Sequence, residues 1–600
     1  MKHPAIYLLI ACAAFFLLLP GCHQWFLDSA DREVVALIES RQQAALGFTA
    51  DASIESASAE RLGTSTLYSF VPSPIDSEVP EAFRKGADEE QEDATTPSRE
   101  TQPSDTVDDA AETPQMDGET ERQPFSFSDA LGYAMSNARR YQTEKELLYL
   151  TALDLTLERY LWTPRFVESV LSLEHVNLGQ VSDFDRAMTA VSRFAVEQRL
   201  PYGGEVTARV INTLVRDVRF GTTTGESGQL ILETRLPLLR GAGPVAYESR
   251  YQAERNLIYA VRDFERFRRE FLVNIASDYF GLLSLKARIA SARAQARSLA
   301  EDYRRDQALA DAERILPIDA DRTRVSKLRA QNDVINAVER YETSLDFFKI
   351  RIGMPIETPI DTVEQELDLA DPQVPITVAI ETALKYRLDL LNTRDFVDDT
   401  RRGVTIARNS LSSRVDLSGS VTLDTDPNRP DLLGYNTERT TWRAGVDVEI
   451  PLDRKRERND YRRSLIQVRR SQRDYEEATD SVRLEVRRAV RRLVQTRASL
   501  EIQDEQIRIN EVRAEMARVK FEAGELPSNR DVVEAEDDLR DARNRYADAL
   551  SDYRRAVLEF LRDTGTLRIA DNGMWVRYDE TTGEPIEQAP SASTDAGEGG

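Results

Sequence analysis

The chain has 600 residues, of which 30% are charged and 41% hydrophobic, and its formal net charge is -25 at pH 7. An acidic surplus of this size argues against a nucleic-acid partner, because no spare basic side chains are available to neutralise phosphates. Glycine and proline are scarce for this length, at 27 and 24 residues, and this mix favours long solvated helices over a large globular core.

Residues 1–21 are typical of a lipoprotein signal peptide. Lys2 supplies a short positive region, an apolar run follows at 6–19, and Cys22 comes directly after Gly21. The apolar run is too short for a membrane-spanning helix. A small residue before cysteine at this position predicts cleavage and lipid attachment at Cys22, and an ordinary signal peptide with an incidental cysteine is the alternative. The mature chain then has one cysteine and no internal disulfide.

Residues 22–122 are predicted to be a lipid-anchored, largely disordered acidic tether. The segment contains scattered prolines and acidic clusters such as Asp88-Glu89-Glu90, with one short helix predicted near 31–45. Too little apolar surface and too much like charge leave such a segment without a core.

The first repeat, residues 123–353, opens with a helix that is predicted to end at Trp162. Five apolar residues share one face of it, namely Phe127, Ala130, Leu131, Ala134 and Ala138. Alternating strand patterns follow at about 167–173, 189–200, 205–216 and 228–238. A long helix at about 245–313, a break at Ile315-Leu316-Pro317 and a returning helix at about 318–351 complete the repeat.

The second repeat, residues 375–565, follows a linker at 354–374 and has the same order of elements. Its first apolar positions lie at a constant offset from those of the first repeat, so that Ala379 matches Ala130 and Ala383 matches Ala134. The pattern predicts a helix to about 411, strands at 415–423 and 442–450, a helix at 455–522, a turn at 524–527 and a helix at 529–562. Residues 566–600 are predicted to be a disordered tail.

The predicted strands are about ten residues long and have one apolar and one polar face, as lipid-spanning β-strands require. A barrel in lipid must close, and four to six strands are few for a water-filled pore, so closure needs several subunits. Trp162 and Trp442 lie at predicted strand ends, where aromatic rings favour the membrane interface. Two ordinary core tryptophans are the alternative.

Over about 125–565 the sequence resembles the outer-membrane efflux protein family, the TolC-like channels. The resemblance depends on the duplicated order and on three segments: Phe127-Ser-Asp129-Ala130-Leu131-x-x-Ala134, Pro237-Leu238-Leu239-Arg240-Gly241 and Phe521-Glu-Ala-Gly524-Glu-Leu526-Pro527. It implies a mainly α fold with membrane β-structure. Duplicated long helical hairpins form a periplasmic tunnel, and strands are contributed to a shared trimeric transmembrane β-barrel.

The resemblance further implies the outer-membrane channel of a tripartite efflux or type I secretion system, located in the bacterial outer membrane and extending into the periplasm. Each chain of a homotrimer gives four strands, and the helical hairpin tips dock a periplasmic adaptor protein joined to an inner-membrane transporter. By position, the tip residues are Leu316, Pro317, Gly524, Leu526 and Pro527. The extra hairpin at about 189–216 departs from this pattern, and it either enlarges the barrel or projects above the membrane.

Two other classes of function fit the sequence less well. An enzyme is not expected, because the mature chain has only His23 and His175, without metal-ligand spacing or a phosphate-binding glycine loop, so no cofactor or metal is predicted. Carboxylates such as Asp302 and Glu501 are interpreted as solvated helix faces. A lipid-anchored periplasmic coiled-coil scaffold or adaptor without a pore accounts for the helices and Cys22, but not for repeated strands with one apolar face.

Overall fold

The computed structural model describes residues 23–49, 122–177, 186–217, 223–364, 372, 374–426, 434–523, 530–569, 577–578 and 585–586. The helices are α1 His23–Leu46, α2 Phe127–Asn137, α3 Arg139–Tyr160, a 3-10 helix Gly243–Tyr247, α4 Glu248–Asp311, α5 Pro317–Ile352, α6 Ile376–Tyr386, α7 Leu388–Asn409, α8 Lys455–Glu522 and α9 Arg530–Asp563. The strands are β1 Gln123–Phe125, β2 Arg165–Asn177, β3 Arg186–Arg199, β4 Glu205–Asp217, β5 Thr223–Pro237, β6 Ile360–Thr362, β7 Arg414–Thr425, β8 Tyr435–Glu449, β9 Arg577–Tyr578 and β10 Pro585–Ile586.

The internal duplication is visible in the element boundaries. The helices α2 and α3 and the strand β2 precede α6, α7 and β7, respectively, by one constant interval. The strands β5 and β8 are equally long but lie closer together in the sequence than this interval. The first repeat therefore carries an insertion between its outer strands β2 and β5, and this insertion holds β3 and β4.

The long helices pair as two hairpins, α4 with α5 and α8 with α9, and α4 also packs along α9. At about 1.5 Å per residue, the 64 residues of α4 and the 68 residues of α8 each form a rod about 100 Å long. The buried face of α8 includes residues that recur at alternating steps of four and three, namely Val482, Val486, Ala489, Leu493 and Thr496. The next positions of this pattern, Leu500, Gln503 and Ile507, are half-buried.

The opening helix of each repeat is broken, whereas a single continuous helix was predicted. The breaks are at Ala138 and Arg387, which are both in extended conformation and occupy matching positions in the two repeats. Neither residue is glycine or proline, so the sequence carries no local breaker signal. Each break lets a short helix turn its apolar face, which includes Ala134 or Ala383, into the core.

The core of the first repeat is built around aromatic side chains. The rings of Phe127 and Phe280 stack with centroids 5.8 Å apart, and Tyr279 lies beside both Phe127 and Phe348. The Tyr279 hydroxyl lies within hydrogen-bond distance of two backbone carbonyls, one at the end of β1 and one just after β6, and these two strands pair in parallel. Part of the predicted linker is thus held against the start of the first repeat.

One ion cluster in this core is buried. The Glu265 carboxylate accepts hydrogen bonds from Arg268 and Arg269, each at 3.0 Å, and its side chain is only 1% exposed. Arg269 also donates to the Gly565 carbonyl at 3.1 Å, which joins α4 to the end of α9. Burial of three charges in a cluster is tolerated only because each has hydrogen-bonding partners.

Both ends of the folded region are more ordered than predicted. The helix α1 begins at His23 rather than near 31, and its residues Val34, Leu37 and Ile38 pack into the core of the first repeat. At the other end, Leu567 and Ile569 are buried in the same core. The helix predicted near 31–45 is therefore present and longer than predicted, and the ordered part of the chain extends a few residues into the predicted tail.

Candidate functional site: the six-stranded sheet and the hairpin tips

Six strands form one antiparallel sheet in the order β2-β3-β4-β5-β7-β8. The extra hairpin, β3 and β4, lies between the outer strands of the first repeat and in the same sheet. The two repeats meet where β5 pairs with β7, and the Gln229 amide there donates to Asp424 at 3.0 Å. Within one chain, β2 and β8 are edge strands, so each presents unpaired backbone groups.

The register places apolar side chains on one face of all six strands. Pairs such as Phe194 with Val210, Leu230 with Leu423, and Val421 with Trp442 lie directly opposite one another. Many of these side chains are exposed, including Phe166, Leu171, Leu173, Met188, Phe194, Leu232, Trp442, Val446 and Val448. An apolar face of this extent is not covered by any described part of the chain.

The opposite face of the sheet is polar, and ion pairs on this face join side chains of different strands. Arg209 on β4 lies 3.5 Å from Glu168 of β2 and 3.8 Å from Glu233 of β5. Arg165 and Glu197 pair at 2.8 Å between β2 and β3. The sheet therefore has one lipid-compatible face and one water-compatible face, as the strand pattern predicted.

Trp162 lies just before β2, as predicted, whereas Trp442 does not lie at a strand end. Trp162 is 9% exposed and packs edge-on against Tyr247, with ring centroids 5.1 Å apart. Trp442 is 75% exposed, but β8 begins at Tyr435, so this ring lies in the middle of the strand. The first residues of β8 are polar and lack apolar alternation, so the sequence pattern predicted a later start for this strand.

The tip of the first helical hairpin is exposed and apolar. Leu316 precedes α5 and is 65% exposed, Pro317 is the first residue of α5, and Ile318 is also exposed. The Arg314 amide closes the turn by donating to the Leu309 carbonyl at 2.8 Å. The predicted residues Gly524, Leu526 and Pro527 of the second tip lie outside the described residues, as does Cys22.

Behind the tips, a polar cluster built around two buried carboxylates joins the two hairpins. The Glu536 carboxylate on α9 accepts hydrogen bonds from Arg518 of α8 at 2.7 Å and from the Ser298 hydroxyl of α4 at 2.5 Å. Asp302, one helical turn from Ser298, accepts from Arg305 at 2.7 Å, and its second carboxylate oxygen has no hydrogen-bond partner. These contacts hold α4, α8 and α9 together near the described ends of the hairpins.

The prediction that Asp302 lies on a solvated helix face is wrong, because its side chain is buried. Burial and the nearby Glu536 carboxylate raise its pKa from 3.8 to about 6. Asp302 is buried because α9 packs against this face of α4, and the local sequence does not show this contact. Glu501, by contrast, lies on an exposed face of α8 as predicted.

In the part of the chain that the structure describes, no helix is long and apolar enough to cross a membrane. Within those same residues, no group of three or more histidine, cysteine, aspartate or glutamate side chains is arranged to hold a metal ion.

Residues 379–566 match the model of a family described as outer membrane efflux protein. The fold is similar to that of CusC, whose structure is described in terms of transmembrane channel formation (TM-score 0.55, 13% identity, 73% of this chain and 92% of that chain). It is also similar to the CmeC outer membrane channel of Campylobacter jejuni (0.54, 14%, 73% and 85%) and to the outer membrane protein VceC of Vibrio cholerae (0.54, 12%, 73% and 96%). No curated protein matches the sequence.

These findings confirm the predicted resemblance to the outer-membrane efflux protein family. They also confirm the fold class, which is mainly helical with duplicated long hairpins and a set of strands. The family and the similar structures are transport channels and not enzymes, in agreement with the prediction for this chain.

Proposed function

We propose that this chain, a relative of the outer membrane efflux proteins, is the outer-membrane channel of a tripartite efflux or type I secretion system. Solutes pass through it passively, by way of a trimeric barrel and a periplasmic tunnel. The observation that carries this proposal is the six-stranded sheet, with its continuous exposed apolar face and two free edges, placed at the end of rods about 100 Å long.

The free edges support assembly with further copies of the chain. An edge strand in lipid leaves backbone groups without hydrogen bonds, which costs several kcal/mol for each group. If β8 of one subunit pairs with β2 of the next, a head-to-tail ring closes without any remaining edge. In a trimer the polar faces line the lumen and the apolar faces contact lipid.

The long hairpins then extend from the membrane into the periplasm. Lipid attached to Cys22 would anchor the chain at its N-terminus, and α1, which begins at the next residue, packs on the first repeat. The anchor would therefore be next, in the sequence, to a helix that packs on the first repeat.

The hairpin tips are the proposed contact with a periplasmic adaptor, and through it with an inner-membrane transporter. Exposed Leu316 and Pro317 offer apolar surface at the first tip. We assign the same role to Gly524, Leu526 and Pro527 at the second tip by their position in the sequence. The cluster around Glu536 supports joint docking, because it joins the helices that lead to the two tips.

The test is the solubility and mass of the Cys22→Ser chain, secreted with a cleavable signal peptide and purified. The channel requires detergent even without its lipid anchor, and its mass in detergent, corrected for bound detergent, is that of three chains. A periplasmic scaffold without a pore gives a soluble protein in the absence of detergent, and that result would sink the proposal.

Adaptor docking is tested separately by placing a photo-crosslinking amino acid at Leu316 in cells. Val446, on the apolar face of the sheet, is the matched control because it is similarly exposed, at 60% against 65% for Leu316. We expect an adduct with a periplasmic protein from Leu316 only. Equal adducts from both positions, or none from Leu316, would refute docking at this tip.

A further inference from the structure

We propose that the β3–β4 hairpin is part of the membrane wall, so that three chains form a barrel of 18 strands instead of the 12 implied by four strands per chain. This inference rests on the proposed trimeric channel. It resolves the question left by the sequence, which was whether the extra hairpin enlarges the barrel or projects above the membrane.

The first support is a comparison of the lengths of the two repeats. The second repeat connects β7 directly to β8, which begins at Tyr435. Counted from the starts of β2 and β7, the position that matches Tyr435 is Arg186, where β3 begins, whereas β5 begins only at Thr223. The extra length is therefore residues 186–222, which begin with β3 and end just before β5. The insertion is one complete hairpin, an even number of strands, which leaves the direction of β5 unchanged.

The second support is the hydrogen-bond register. The strands β3 and β4 pair from Ala187 with Asp217 to Arg199 with Glu205 without a bulge. Their outer sides pair with β2 and β5 over almost the same length. A hairpin that projected from the barrel would have left β2 and β5 to pair with each other, as β7 and β8 do.

The third support is that both faces of the hairpin continue those of its neighbours. Phe194 and Val210 extend the apolar face, and Phe194 is opposite Ser169 of β2. On the polar face, Arg209 lies between Glu168 and Glu233, one on each flanking strand. The inserted strands therefore meet lipid on one side and water on the other, like the strands shared by both repeats.

The turn between β3 and β4 also packs closely against β5 and the segment before α4. Gly203 and Gly204 have φ values of 101° and 91°, which favour glycine. A Cβ atom at Gly203 would lie 2.7 Å from the Gly241 carbonyl oxygen, and one at Gly204 would overlap the Arg235 carbonyl oxygen. The Gly243 amide donates to the Tyr202 carbonyl at 2.8 Å, so the turn is fixed to the segment that leads into α4.

The consequence is a wider outer pore on an unchanged tunnel. With strands about 4.8 Å apart and tilted by about 40°, 18 strands give a backbone diameter of about 36 Å, against about 24 Å for 12 strands. The insertion adds no helix, so the number of helices in the tunnel stays the same. The barrel then forms a wide vestibule, and the narrowest part of the path lies among the helices.

The direct test is spin-label accessibility at single cysteines in the mature Cys22→Ser chain, which has no other cysteine. Phe194→Cys and Thr207→Cys place labels on the two faces of the inserted hairpin. Leu423→Cys and Thr422→Cys are the matched controls on β7. Dissolved oxygen reports lipid exposure, and a water-soluble nickel complex reports exposure to the lumen.

We expect both pairs to alternate in the same way, with oxygen favoured at 194 and 423 and nickel at 207 and 422. Nickel access at both 194 and 207, with normal alternation on β7, would place the hairpin outside the wall and overturn this inference alone. Loss of alternation on β7 as well would instead refute the proposed membrane channel.

Deletion of residues 186–222 supplies a second measurement, because it gives the first repeat the strand order of the second. In planar bilayers, the largest polyethylene glycol that enters from the extracellular side should fall in diameter by roughly a third. An unchanged size limit in a trimer that still conducts would contradict the 18-stranded barrel. If the deletion prevents assembly, the spin-label result decides.

Discussion

Replacement of Asp302 by asparagine should stabilise the hairpin tips at neutral pH. Asp302 is 2% exposed, and burial together with the Glu536 carboxylate raises its pKa from 3.8 to about 6. The ionised form is therefore disfavoured in the folded tip. The stability that Asp302 contributes is fully present below about pH 4 and is lost as the pH rises through about 6.

The size of the effect follows from the pKa difference. Two units correspond to about 3 kcal/mol at about 1.4 kcal/mol per unit, so local opening at pH 7.5 should become roughly 100-fold rarer in the variant. Asparagine has nearly the shape of protonated aspartate but does not ionise. Its amide can also donate a hydrogen bond towards the Glu536 carboxylate.

The frequency of local opening can be measured by hydrogen exchange with mass spectrometry at pH 5 and pH 7.5, corrected for the intrinsic pH dependence of exchange. In the natural chain, peptides around Asp302 and Glu536 should be less protected at pH 7.5 than at pH 5, and in Asp302→Asn this difference should vanish. Glu501→Gln, on an exposed face of α8, is the control and should change nothing. Faster exchange in Asp302→Asn at pH 7.5 would show that ionised Asp302 stabilises the tips through Arg305, and the reasoning would be wrong.

Two further substitutions test the sheet and the core. Gly204→Ala would place a methyl group so that it overlaps a carbonyl oxygen of β5, at a residue with a positive φ. The fraction of the protein that runs as a trimer on semi-native gels should therefore fall sharply. Gly225→Ala is the control and should assemble normally, because the added methyl group meets open space. Glu265→Gln removes the counter-charge of two buried arginines and should destabilise the helices by about 3–5 kcal/mol in denaturant melts. The exposed Glu270→Gln should have an effect within about 0.5 kcal/mol, and equal losses in both variants would contradict the role of the cluster.

The helical hairpins were predictable because their signals are local. The helix α8 has the predicted bounds, 455–522, and α9 is shifted by one residue, since glycine- and proline-free periodic segments end at clear turn residues. The breaks at Ala138 and Arg387 were not predictable in this way. Each depends on packing of the preceding short helix against elements that are distant in the sequence.

The sheet was predictable in its faces but less so in its extent. Alternation located every strand of the six, yet β8 begins at Tyr435, well before Trp442, because Tyr435 to Thr441 is polar and has no apolar alternation. The pairing order, and hence the place of the extra hairpin, required the register of its neighbours. The burial of Asp302 and of α1 is likewise a property of the surfaces that cover them.

Single-channel recording in planar bilayers tests the central claim most directly. The purified Cys22→Ser protein, first shown to be a trimer in detergent, should give discrete conductance steps. A soluble, monomeric protein that produces no conductance would contradict the channel and leave the lipid-anchored scaffold as the better account of these helices.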